Sequence, residues 1–168
     1  MKILTILFIV AAFALNVFAQ GDWRKMTEEE LKKTVPEKAP VIKENIETEF
    51  RTASGITDGK SNLFGVVVIT AGYEADGKYT HFFKTDANIK VGDLPLAKGE
   101  YIFGYQRLDA ETLRVTFYKA RDGELIGATK AKVEKGKGAI YSFLIAPPTA
   151  KKGKIYIGRF TFEYSLEN

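Results

Sequence analysis

The chain contains no cysteine and one histidine, His81, in 168 residues. The missing thiols exclude disulfide staples, a cysteine nucleophile, thiolate metal sites and the acylated cysteine of a lipoprotein. One imidazole without thiols or a second histidine leaves no zinc ligand set. No G-x-G-x-x-G, P-loop, nucleophile-elbow or D-x-D-x-D-G pattern occurs, so no nucleotide, acyl-transfer or calcium motif is present. No Asn-x-Ser/Thr sequon occurs either. The formal net charge is only +4, which favours solubility and lacks the basic excess of a nucleic-acid binder. No cofactor is implied.

Long apolar runs are missing too, with one exception at the start. Residues 1–20 read "MKILTILFIVAAFALNVFAQ". Lys2 supplies a positive n-region, Ile3 to Leu15 an apolar run too short to span a bilayer, and Val17-Phe18-Ala19 a cleavage site. This predicts a signal peptide over residues 1–19, export, and no transmembrane anchor after cleavage. With sequons absent, the expected location is the bacterial periplasm or exterior.

The remainder is ordinary globular material, 45% hydrophobic and 12% aromatic, sufficient for one domain. Residues 20–55 read as a helical segment and connector. Thr27 with Glu30 is a capping box, Glu28 and Glu29 suit a helix N-terminus, and Pro36 ends the helix. In 40–55, Ile42, Ile46 and Phe50 recur every fourth residue, Glu47 and Arg51 form a helical ion pair, and Gly55 suits a C-terminal cap. These features predict a second helix. The same residues also alternate as in a half-buried strand: Ile46, Thr48, Phe50, Thr52.

From residue 56 to 168 short apolar runs alternate with glycine-containing turns. Strands are expected over 63–73, 78–85, 88–94, 100–108, 113–120, 125–133, 139–146 and 154–166, with Asp76-Gly77 as a hairpin turn. The expected fold is mainly β: a single-domain antiparallel β-sandwich, Greek-key-like, of seven or eight strands with one or two short N-terminal helices. A closed antiparallel β-barrel is the alternative.

The stretch "LPLAKGEYIFGY" (94–105) carries the most specific pattern. Leu96-x-x-Gly99-x-Tyr101 resembles the tyrosine corner of Greek-key sandwiches such as fibronectin type III and immunoglobulin-like domains. That resemblance implies a Tyr101 hydroxyl bonded to backbone a few residues upstream, satisfying a group that an arch leaves without a ladder partner. Tyr101, Phe103 and Tyr105 then share one face, read as the inner one. Gly21-Asp22-Trp23 resembles the lipocalin Gly-x-Trp signature over three residues. A helical capping box follows where lipocalins begin a strand, so Trp23 reads as a hydrophobic peg for the N-terminal segment.

Lys130, Lys132, Lys135, Lys137, Lys151, Lys152 and Lys154 cluster around two turns. Were the turns adjacent, Lys135, Lys137, Lys151, Lys152 and Lys154 could hold an anionic envelope polymer; apart, they are solvated turn and edge-strand lysines. Asp58, Asp76, Asp86, Asp93, Asp109 and Asp122 stand in turn contexts, where aspartate bonds local backbone.

Three functions follow as expectations. The first is an exported non-catalytic binding or interaction module, with a protein or an anionic polymer as partner. The alternative is a small hydrophobic-ligand carrier, which requires a large cavity inside a barrel. The third is a hydrolase using His81 or two converging carboxylates.

Overall fold

The computed structural model describes residues 22–70, 79–136 and 138–167. The expected signal peptide, Gly21, the Asp76-Gly77 turn and Lys137 lie outside the described residues. The fold is mainly β, with one antiparallel sheet nearly closed into a barrel.

The chain enters through a two-residue strand β1 (Arg24–Lys25) and helix α1 (Glu28–Thr34). The capping box forms as the sequence demands: the Thr27 amide donates to Glu30 Oε2 (2.8 Å) and the Glu30 amide to Thr27 Oγ1 (3.2 Å). Arg24 pairs with the same carboxylate at 2.7 Å, and these bonds hold the Glu30 carboxyl down to about 2. Val35 turns extended ahead of Pro36 and ends the helix.

The second helix does not form. Residues 40–55 belong to a hairpin of β2 (Lys38–Val41) and β3 (Glu44–Thr57). A spacing of four is a multiple of two, so it fits a strand face as well as a helix face. β-branched Ile and Thr and pairing on both sides of β3 decide the outcome. Arg51 pairs with Glu49, not Glu47, and Gly55 is no cap: it lies mid-strand, where an added Cβ would meet Met26 Sδ at 2.7 Å. Ile42 takes the left-handed region (φ 58°) at the hairpin tip, where its N–H donates a hydrogen bond to the Ala120 carbonyl.

The wall continues through β4 (Asn62–Val68), β5 (His81–Thr85), β8 (Gly99–Arg107), β9 (Thr112–Lys119), β10 (Leu125–Val133), β13 (Phe160–Leu166), β12 (Lys152–Gly158) and β11 (Tyr141–Ile145), each hydrogen-bonded to the next. Two short strands, β6 (Ile89–Val91) and β7 (Leu94–Leu96), form a hairpin that pairs with the end of β13. Because no break divides the ladder into two facing sheets, the architecture is the barrel and not the sandwich. The run 154–166, expected as one strand, is a hairpin: Gly158 at φ 60° and Arg159 turn β12 into β13.

β11 returns against β3 without a ladder joining them among the described residues. Their junction is the Ile145 amide donating to Ser54 Oγ at 2.9 Å. Phe143 seats on β4 because residue 65 is glycine; a Cβ there would lie 2.7 Å from the Phe143 ring.

Alternation along the strands builds two cores. Ile56, Leu63, Phe83, Tyr101, Phe103, Val115, Phe117, Ile145 and Ile155 point into the barrel. Phe64, Val66, Phe82 and Ile102, on the opposite face of β4, β5 and β8, are covered by Met26, Leu31, Val35, Ala39 and Val41 of the N-terminal segment. That second core explains why "LFGVVV" is apolar on both faces.

Candidate functional site

The two ends of the barrel differ. One is plugged. Ile89, Val91 and Leu96 of the β6–β7 hairpin pack with Tyr101, Tyr164 and Leu166, and Trp23 packs on the same cluster. Tyr101 donates to the Ala97 carbonyl at 2.6 Å and Tyr164 to the Ala146 carbonyl at 2.7 Å, so each ties a loop at this end. The chain arches at Ala97–Lys98, leaving the β6–β7 hairpin for β8, and Leu96 is buried beneath the arch.

Among the described residues the other end is open. It holds a cavity of about 940 Å³ lined chiefly by Val67, Leu113, Ile140, Tyr141, Ile157 and Phe160, with Thr52, Thr80, His81, Tyr105, Arg107 and Arg159 as polar members. Irregular pairing creates the space. β3 carries extra residues between Glu49 and Ser54, and β11 is irregular between Tyr141 and Leu144. Both interruptions lie on the two strands that would otherwise meet, at the open end. In the β3 bulge Thr52 Oγ1 accepts the Val67 amide (2.9 Å), standing in for a backbone partner.

The inner face of β8 runs through both halves. Tyr101 is in the plug, Phe103 in the aromatic core with Phe83 and Phe117, Tyr105 on the cavity wall, and Arg107 at the rim. His81 belongs to the aromatic floor. It stacks on Phe103 (centroids 4.6 Å apart) and approaches Phe143 at 5.0 Å. Its Nδ1 lies 2.8 Å from Thr80 Oγ1, whereas Nε2 is buried without a hydrogen-bond partner. Burial pushes the imidazole down to about 3, so it is neutral near pH 7. No carboxylate is among the described lining residues, so a histidine–acid pair is not assembled there.

The rim is apolar and basic. Ile69, Leu108, Ile140 and Tyr141 are exposed at this end, Ile140 to 77%. Arg107 and Arg159 both lie over the Phe160 ring, 5.3 and 5.6 Å from its centroid.

The described lysines of the two turns do not form one cluster. Lys135 follows β10 at the open end, where the Glu134 amide bonds the Arg159 carbonyl. Lys151 and Lys152 lie at the far end of β12, roughly 20 Å along the strand. Lys154 pairs with Glu134 at 2.6 Å. Asp58, Asp86, Asp109 and Asp122 accept backbone amides of their own or neighbouring turns. A second groove, of about 560 Å³, lies outside the plugged end among Lys84, Glu100, Lys119 and Arg121. Glu100 pairs with Lys84 and Arg121, and Lys119 covers the Tyr101 ring, so its charges are largely internally matched.

Arg107, Arg159, Ile140 and Tyr141 were not singled out from sequence. One signal was available: continuing the alternation 101, 103, 105 places Arg107 on the inner face, and a charge there marks an unfilled end. No protein-family model, curated protein or solved structure matches the chain.

Proposed function

We propose that this protein is an exported, non-catalytic binding module whose barrel takes up a small, largely apolar molecule through its open end. The observation that carries the reading is the cavity of about 940 Å³ above an aromatic floor. Its size lies within the range of ligand pockets, and its lining has their usual character, mainly apolar with a few placed polar groups. The neutral imidazole without a carboxylate favours binding over hydrolysis. Export rests on the reading of residues 1–19 as a signal peptide.

Uptake of a neutral apolar fluorophore such as Nile red, followed by its emission, tests the proposal. The protein should bind the dye at one saturable site. Val67→Trp fills the cavity from the wall and should abolish uptake while leaving the melting temperature nearly unchanged. Equal uptake by wild type and the folded variant would overturn the assignment.

A further inference from the structure

Resting on the reading of the open end as a ligand cup, we infer that its ligand is a single-chain amphiphile with an acidic headgroup, bound between Arg107 and Arg159. Both residues are exposed at the rim, and neither forms an ion pair with a carboxylate among the described residues. Each guanidinium lies over the Phe160 ring. A cation–π contact of this kind consumes no N–H donor, so it leaves both guanidiniums able to bond a further acceptor. Arg159 uses one N–H on the Ala110 carbonyl, at a long 3.5 Å.

No described carboxylate pairs with either arginine: Asp109 accepts the Glu111 amide within its own turn, Glu134 pairs with Lys154, and Glu111, beside the Ala110 carbonyl that Arg159 touches, forms no ion pair with it. Two cations therefore share one ring with no counter-charge among the described lining residues, an arrangement that favours an anion. The planar fork of arginine matches a carboxylate or a phosphate. Behind the pair, Phe160, Ile157 and Leu113 lead inward, and Ile140 and Tyr141 flank the entrance. A hydrocarbon chain can thus occupy the cup while its acidic end stays at the wet rim. A neutral apolar ligand would leave both guanidiniums unused.

Competition against bound Nile red tests this, using twelve-carbon probes below their micelle concentrations: dodecanoate, dodecyl phosphate, 1-dodecanol and dodecyltrimethylammonium. At least one acidic probe should displace the dye about tenfold more effectively than dodecanol. Whether dodecanoate or dodecyl phosphate does so identifies the headgroup. The Arg107→Gln/Arg159→Gln double variant should lose that advantage while keeping its affinity for dodecanol. Raising the salt should weaken only the acidic probe. Equal affinity for acid and alcohol, or a preference for the cationic probe, would overturn the headgroup assignment and leave the cup intact. No dye uptake at all would overturn the cup itself.

Discussion

His81 lies flat on Phe103, the ring planes only 6° apart and the centroids separated by 4.6 Å. The pair caps the aromatic core from the cavity side. It places a titratable ring where water is largely excluded, and this has a measurable consequence for stability.

Burial lowers the His81 pKa from its ordinary 6.5 to about 3. In the unfolded chain the imidazole takes a proton below about pH 6.5; in the folded protein it does not until about pH 3. Between these values the unfolded state binds more protons, so stability falls as pH falls. The expected slope from this residue is about 1 kcal/mol per pH unit in that window. His81→Phe should remove this component and be neutral or stabilising at pH 7, since it deletes an unpaired buried nitrogen. Urea melts of both proteins at pH 4, 5.5 and 7 check this. Parallel pH dependences would show that His81 is not the desolvated group.

Tyr101 separates ring from hydroxyl. The ring is buried in the plug, and the hydroxyl donates to Ala97 at 2.6 Å. Tyr101→Phe keeps the packing and removes the hydroxyl's bond to the arch, so stability should drop by about 1 kcal/mol. Because the plug is at the other end from the cavity, Nile red affinity should be unchanged. A melt identical to wild type would mean the hydroxyl contributes nothing to the arch.

Ser54→Ala tests the seam. The Ile145 amide donates to Ser54 Oγ where β3 and β11 meet without a ladder. Alanine leaves that buried N–H unpaired, at a cost of about 1–3 kcal/mol. Hydrogen exchange should accelerate most at Ile145 and its β11 neighbours, and less on the distant strand β9. Uniform acceleration would indicate a global loss of stability instead of an opened seam.

Much of the β framework was legible because it is local. Turn chemistry such as Asp122-Gly123 between β9 and β10 brackets an alternating strand whatever the rest of the chain does. The Thr27–Glu30 capping box likewise needs only four residues. Legibility failed where two local readings shared a period. Ile46 and Phe50 satisfy a helix and a strand alike, and pairing with β2 and β4 resolved it. It failed again at Gly158-Arg159, a two-residue turn marked only by a glycine and by a shift of the apolar alternation from Ile155 and Ile157 to Phe160 and Phe162.

The cavity was less visible still. Tyr101, Phe103 and Tyr105 read as one inward face, yet they end in a plug, a core and a wall, and Arg107, next in the alternation, stands at the rim. Their different roles arise because the β6–β7 hairpin fills one end, while irregularities in β3 and β11 open the other.

By itself, then, the sequence determined most strands from residue 63 onward, the capped helix and the absence of thiol chemistry, since these depend on neighbours within a few residues. Only the tertiary structure decided that the sheet curls into a barrel, that Lys135 and Lys152 part company, and that Arg107 and Arg159 meet over Phe160. These are contacts between residues far apart in the chain, set by strand order and register, which no local pattern encodes.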